Sequence, residues 1–84
     1  MPDKVAVVPP SVLSAESEAT LQQWLVERGD EVYAGERIAE IVMPGILVSV
    51  AAPCSGRVDA IVAAAQATIG PGDVLAWIEP EADA

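Results

Sequence analysis

The residue types that most often perform chemistry are almost absent from this chain of 84 residues. It contains no histidine, which is the commonest general base and metal ligand, and Cys54 is its single cysteine. One cysteine cannot form an internal disulfide or a thiolate metal cluster, and no histidine is available to activate its thiol. The sequence therefore predicts no catalytic residue and no metal site, and we interpret Cys54 as a small side chain that fills a turn.

Carboxylates are the only abundant reactive groups, and they indicate a solvated, acidic surface. Asp73 and Glu79 show no arrangement that would pair them for acid–base catalysis. Thirteen acidic residues against four basic ones give a net charge of −9, which repels phosphate backbones and anionic lipid. We expect no nucleic-acid or membrane role, and binding to a basic patch on a protein partner. No apolar run is long enough for a membrane span and no signal peptide is evident, so a cytoplasmic location is expected.

Length and composition indicate one thin, all-β domain. Eighty-four residues are too few to support two independent cores. Apolar residues make up 52%, but they are mainly Ala and Val with no Phe, which favours sheets over thick helical layers. Frequent Gly and Pro cut the chain into short apolar runs typical of strands. The predicted strands are residues 5–8, 20–26, 37–43, 46–50, 56–62 and 74–78.

Two segments stay open between strand and helix, and an internal repeat favours the strand. Residues 14–26 could begin with a serine cap, and residues 58–68 are rich in alanine. A shift of 37 positions, however, superposes apolar or glycine residues of the two halves. The matches are Leu21, Trp24, Val32, Gly35, Ile38, Ala39 and Ile41 on Val58, Ile61, Ile69, Gly72, Leu75, Ala76 and Ile78. Two such halves must pack together to cover their apolar faces.

Short motifs in both halves follow one another in a fixed order. The first half carries Val8-Pro9, Trp24-Leu25, Gly29-Asp30-Glu31-Val32, Gly35 and Ile38-Ala39-Glu40-Ile41. The second half carries Ala52-Pro53, Gly56, Val58 and residues 72–78, which read Gly-Asp-Val-Leu-Ala-Trp-Ile. This order resembles the lipoyl/biotinyl carrier domains, in particular the lipoyl domains of 2-oxo acid dehydrogenase acyltransferases.

The resemblance implies a fold for almost the whole chain. The family has an all-β flattened barrel, a barrel-sandwich hybrid of two small antiparallel sheets with internal pseudo-twofold symmetry. We expect this domain to cover residues 1–79. Residues 80–84 then form an acidic Ala/Pro tail or the start of a linker.

The resemblance also implies a cofactor-bearing lysine at the tip of the hairpin before the Ala-Pro turn, and this chain departs from it. Members of the family carry Asp-Lys-Ala there for lipoyl attachment or Met-Lys-Met for biotinyl attachment. Counting back from Pro53 by the family's spacing reaches Gly45, and the only lysine is Lys4, far from any hairpin tip. We therefore predict no attached cofactor. Pro44 and Gly45 suit the central positions of a type II turn, which predicts a distorted or wider tip.

The residues around Gly45 are apolar, where the family has acidic and polar residues. An exposed apolar tip is typical of a partner interface, and the candidate contacts are Met43, Pro44, Gly45 and Leu47. In the alternative, residues 42, 46 and 48 fill the core while Met43 and Leu47 take the remaining exposure. Both interpretations fit the sequence.

Two functions follow from the resemblance. The first is a non-lipoylatable lipoyl-like domain, related to 2-oxo acid dehydrogenase acyltransferase components, that acts as a non-catalytic structural or protein-interaction module, with a component of such a complex as its expected partner. The alternative is an acyl or carboxyl carrier domain that works with a noncovalent or externally supplied cofactor. A small enzyme is disfavoured, because only carboxylates could supply its nucleophile and its base.

Overall fold

The computed structural model describes residues 3–14, 16 and 18–81, and its regular structure in these residues consists of β-strands. The eight strands are β1 (Val5–Val7), β2 (Ala19–Trp24), β3 (Glu31–Val32), β4 (Arg37–Met43), β5 (Ile46–Ala51), β6 (Gly56–Ile61), β7 (Thr68–Ile69) and β8 (Ala76–Pro80). They form two four-stranded antiparallel sheets. One, the terminal sheet, has the order β1-β8-β6-β3, and the other, the hairpin sheet, has the order β5-β4-β2-β7. The predicted all-β sandwich is confirmed.

The core lies between the two sheets and is made of short aliphatic side chains. Within the described residues no polar or charged residue is buried. The largest fully buried side chains come from both sheets and from the loop before β8; they are Leu21, Ile38, Ile41, Leu75, Ile78, Val7, Val32, Val50 and Val58. Because strand side chains alternate between faces, each sheet turns one apolar face toward the other sheet and one face toward solvent.

The predicted repeat of 37 residues is a structural symmetry. Shifting the bounds of β2 and β3 by 37 gives the bounds of β6 and β7. β2 and β6 each contain a β-bulge at the same place, which falls at Gln22 in one and Asp59 in the other. Both bulge carbonyls accept a side-chain hydrogen bond, from Gln66 Nε2 at 3.0 Å and from Arg28 Nε at 3.1 Å respectively. The two halves therefore agree in backbone detail as well as in apolar pattern.

One connection breaks the symmetry. Val7 and Val50 are equivalent because they pair with the equivalent residues Ala76 and Ala39, yet they are 43 positions apart instead of 37. Counted from these two equivalent residues, the connection to β2, residues 8–18, is therefore six residues longer than the connection to β6, residues 51–55. Leu13 anchors the longer connection by inserting its buried side chain into the core.

Several sequence expectations are corrected by the structure. The strand runs are close to the predicted ones, but β3 and β7 were not expected; each has two residues and forms only by pairing with a neighbour. The helical alternatives at 14–26 and 58–68 are wrong for the part of those segments that the structure describes. The described residues contain no helix with the length and hydropathy needed to cross a membrane.

The C-terminal strand ends one residue before the last described residue. β8 ends at Pro80, and the amide of Glu81 donates a hydrogen bond to the carbonyl of Ser55 at 2.9 Å. The division of the chain into a domain at 1–79 and a tail at 80–84 stays a prediction, and residues 82–84 lie outside the described residues.

The close approach of β6 to β8 at Gly56 gives a test of this fold. A Cβ atom at position 56 would overlap the backbone carbonyl oxygen of Glu79, so Gly56→Ala must separate the two strands. We expect a loss of about 2–3 kcal/mol in the free energy of unfolding, measured by chemical denaturation. Gly70→Ala is the matched control, because a Cβ there meets only Asp73 Oδ2 at 3.8 Å, and it should change stability by less than about 1 kcal/mol. Equal stability of the two variants would contradict the described packing of β6 on β8.

Candidate functional site

The hairpin tip, residues 43–46, is a tight two-residue connection between β4 and β5. Met43 and Ile46 are paired across the hairpin, and Pro44 and Gly45 form the turn between them. Gly45 has φ +77°, whereas the proline ring holds φ of Pro44 near −65°. This combination fits a type II turn, as predicted, and the pairing of Met43 with Ile46 shows that the expected widening of the tip does not occur.

The solvent exposure of the side chains at the tip differs from what the sequence predicted. Both interpretations of the sequence expected Met43 to be exposed, but only 8% of it is accessible, which is a correction. Ile46 and Leu47 are instead 52% and 58% exposed, although consecutive strand residues point to opposite faces. Ile46 lies on the same face as its cross-strand partner Met43 and Leu47 on the other, so both faces of the tip present some aliphatic carbon to solvent.

A groove lies between the hairpin tip and the long β1–β2 connection. The six residues that line it, here called the tip groove, are Val12, Glu16, Glu18, Met43, Pro44 and Ile46. Its volume is about 470 Å³. The apolar walls come from both elements, while the two carboxylates come from the connection alone. The sequence analysis did not find this site, because Val12, Glu16 and Glu18 are near the tip only through the fold.

The single lysine lies away from the tip, beside β1 in the terminal sheet. Lys4 Nζ forms an ion pair with Asp59 Oδ2 at 3.0 Å, and half of the lysine side chain is exposed. No side chain of the hairpin tip carries a primary amine.

The other reactive side chains named in the sequence analysis are Cys54, Asp73 and Glu79. Cys54 is partly buried and packs against the core, and Asp73 Oδ2 accepts a hydrogen bond from the amide of Gly70 at 2.8 Å. Glu79 is exposed on β8. Among the described residues no three Cys, Asp or Glu side chains converge to hold a metal ion. Cys54, Asp73 and Glu79 are not among the residues that line the tip groove.

The chain matches a known protein family along both sheets. The family model described as "Biotin-requiring enzyme", of the biotin/lipoyl type, matches residues 5–78. The chain belongs to the biotin/lipoyl domain family. This match covers every strand of both sheets except the last two residues of β8.

The related sequences are parts of larger proteins. The chain is 30% identical over 81 residues to the dihydrolipoyllysine-residue succinyltransferase component of the 2-oxoglutarate dehydrogenase complex of Rickettsia conorii, with 96% of this chain and 20% of that protein covered. It is 32% identical over 71 residues to the component of the same name in Rickettsia bellii, with 84% and 18% covered. The biotin/lipoyl domain therefore spans about a fifth of the length of these relatives.

Solved structures share the fold. The crystal structure of urea carboxylase from Kluyveromyces lactis superposes with a TM-score of 0.74 at 23% identity, covering 94% of this chain and 6% of that chain. The solution structure of the lipoyl domain of the 2-oxoglutarate dehydrogenase complex from Azotobacter vinelandii superposes with a TM-score of 0.68 at 23% identity, covering 90% of this chain and all of that chain. The barrel-sandwich fold implied by the resemblance is confirmed.

The opposite environments of Met43 and Leu47 give a test of the tip geometry. Met43→Thr places a hydroxyl among buried aliphatic side chains and should lower the free energy of unfolding by about 2 kcal/mol. Leu47→Thr changes an exposed strand residue to another good strand former and should cost less than about 0.5 kcal/mol. Urea denaturation of both variants measures the difference. A larger loss at Leu47 than at Met43 would show that the two faces of the hairpin are assigned the wrong way round.

Proposed function

We propose that this biotin/lipoyl domain carries no prosthetic group and acts as a non-catalytic protein-interaction module related to 2-oxo acid dehydrogenase acyltransferase components. The observation that carries the proposal is the Pro44-Gly45 turn at the tip of the β4–β5 hairpin, which contains no amine. The family resemblance puts the modified lysine at Gly45. A lipoyl or biotinyl group therefore does not fit this tip, and no acyl or carboxyl transfer step runs through it.

The surroundings of the turn support a partner-binding role. Gly45 and Pro44 are exposed, and beside them Ile46 and Leu47 present more than half of their surface to solvent. Adjacent exposed aliphatic side chains at the end of a hairpin are typical of a surface that a partner covers. The proposed contacts are Pro44, Gly45 and Leu47 from the sequence analysis, with Ile46 in place of Met43.

The relatives indicate the kind of partner. The matched curated proteins are named as components of the 2-oxoglutarate dehydrogenase complex. We infer that the partner of this domain is a protein of such a complex, and the proposal includes the cytoplasmic location expected from the sequence. For the alternative, a carrier with a noncovalent cofactor, the described residues give no support beyond the family resemblance.

Restoring an amine at the tip tests the proposal by gain of modification. The double variant Pro44→Asp with Gly45→Lys, coexpressed with a lipoate ligase and supplied with lipoate, should gain the mass of one lipoyl group. The wild-type protein in the same cells should gain nothing, because Lys4 is held beside β1 by Asp59. Intact-protein mass spectrometry measures both outcomes.

The matched control is Pro44→Asp with Gly45→Arg, which adds the same charge without an acylatable amine. It should remain unmodified, and denaturation curves should show that both double variants are folded. Failure of the folded lysine variant to accept lipoate, while a lipoyl domain in the same cells accepts it, would contradict the assignment of Gly45 to the attachment position. Modification of the wild-type protein would contradict the proposal outright.

A further inference from the structure

We propose that the tip groove binds an extended segment of a partner protein that presents one apolar side chain next to a lysine or arginine. The inference rests on the proposed function in one respect, namely that the tip is an interaction surface instead of a carrier arm. It adds a location for the contact, the β1–β2 side of the tip, and the chemistry of the segment that binds there.

The dimensions and lining of the groove suit one apolar anchor. Its volume of about 470 Å³ exceeds that of a single leucine or phenylalanine side chain and lies in the usual range of ligand clefts. Val12 and Ile46 line it and are 56% and 52% exposed, while Met43 and Pro44 complete the apolar wall. An aliphatic or aromatic side chain placed here would remove aliphatic surface from water on two sides, which is the usual source of a binding hot spot.

The internal symmetry shows that the fold can form with a shorter connection than the one that lines the groove. In the other half of the molecule, residues 51–55 are enough to join Val50 to β6. The six additional residues between β1 and β2 are therefore not needed to connect two strands of this fold. The longer connection contributes Val12 and both carboxylates to the groove, so the part of the chain that breaks the symmetry supplies one side of the site.

The charges around the groove select a cationic partner. Glu16 and Glu18 line it, and none of the four basic residues of the chain does. Arg37 begins β4, six residues from Met43, which is about 20 Å along an extended strand, and Lys4 is paired with Asp59 in the terminal sheet. A lysine or arginine beside the anchor would meet two carboxylates with no competing cation among the lining residues.

The same charges disfavour a second copy of this chain as the occupant. Each copy has a net charge of −9, so bringing the acidic groove of one copy against another copy raises the electrostatic repulsion between them. A basic segment of a different protein lowers that repulsion. The occupant to which the structure points is therefore a heterologous, apolar-basic segment.

Peptide titration of the full chain tests the inference. The probe is the peptide acetyl-Gly-Lys-Leu-Lys-Gly-amide, added to ¹⁵N-labelled protein at low salt and followed by amide chemical-shift changes. We expect saturable shifts confined to residues 12–18 and 43–47, with binding that weakens as salt rises. Acetyl-Gly-Lys-Ser-Lys-Gly-amide lacks the anchor and acetyl-Gly-Glu-Leu-Glu-Gly-amide lacks the cations, and each should bind at least about fivefold more weakly.

Matched variants separate the groove from general charge and hydrophobicity. Ile46→Ser should weaken binding of the lysine-leucine peptide about tenfold, whereas Val62→Ser, at an equally exposed aliphatic residue elsewhere, should not change it. Glu16→Gln with Glu18→Gln should weaken it about fivefold. Glu79→Gln with Glu81→Gln changes the net charge by the same amount away from the groove, and should have a smaller effect.

Each outcome decides the inference. Shifts spread over the whole acidic surface, or equal binding of all three peptides, would overturn it in favour of nonspecific electrostatic attraction. Sedimentation that shows a dimer lost in Ile46→Ser would assign the groove to a second copy and overturn it as well. None of these results bears on whether the lysine double variant accepts lipoate, so the groove can fail while the proposed function stands.

Discussion

The structure depends on the burial of two apolar sheet faces against each other. β2 and β4 of the first half lie in the hairpin sheet, and β6 and β8 of the second half lie in the terminal sheet. The inner side chains of these strands are short aliphatic residues, and each half covers the apolar face of the other. Leu21, Ile38 and Ile41 of one half are met by their equivalents Val58, Leu75 and Ile78 of the other, and all six are almost completely buried. Because that core contains no buried polar group among the described residues, its stability comes from aliphatic contact and sheet hydrogen bonds.

This constraint explains which parts of the molecule are free to differ between the halves. Bulges, turns and short edge strands repeat because they set the register in which the two faces meet. Most described residues of the connection after β1 and both residues of the turn after β4 are exposed, although Leu13 of the connection is buried in the core. Those two segments contribute to the tip groove together, and the connection after β1 is where the two halves differ in length.

The sequence predicted most of the fold and the turn at the hairpin tip, for reasons that individual residues show. The 37-residue repeat identified the equivalence of Ile38 with Leu75 and of Ile41 with Ile78, because core positions in a thin sandwich accept only apolar residues. β3 and β7 escaped prediction because Glu31–Val32 and Thr68–Ile69 are too short to show a period. The burial of Met43 escaped it too, since the two faces of a hairpin cannot be told apart without knowing that the β1–β2 connection lies near the tip.

We propose that the tip of this biotin/lipoyl domain holds no prosthetic group and presents a surface that a partner protein contacts. The most direct measurement is the intact mass of the protein purified under native expression from the cells that make it. The account predicts the mass of the unmodified polypeptide. A mass increased by a covalent lipoyl or biotinyl group, at Lys4 or at any other residue, would contradict it.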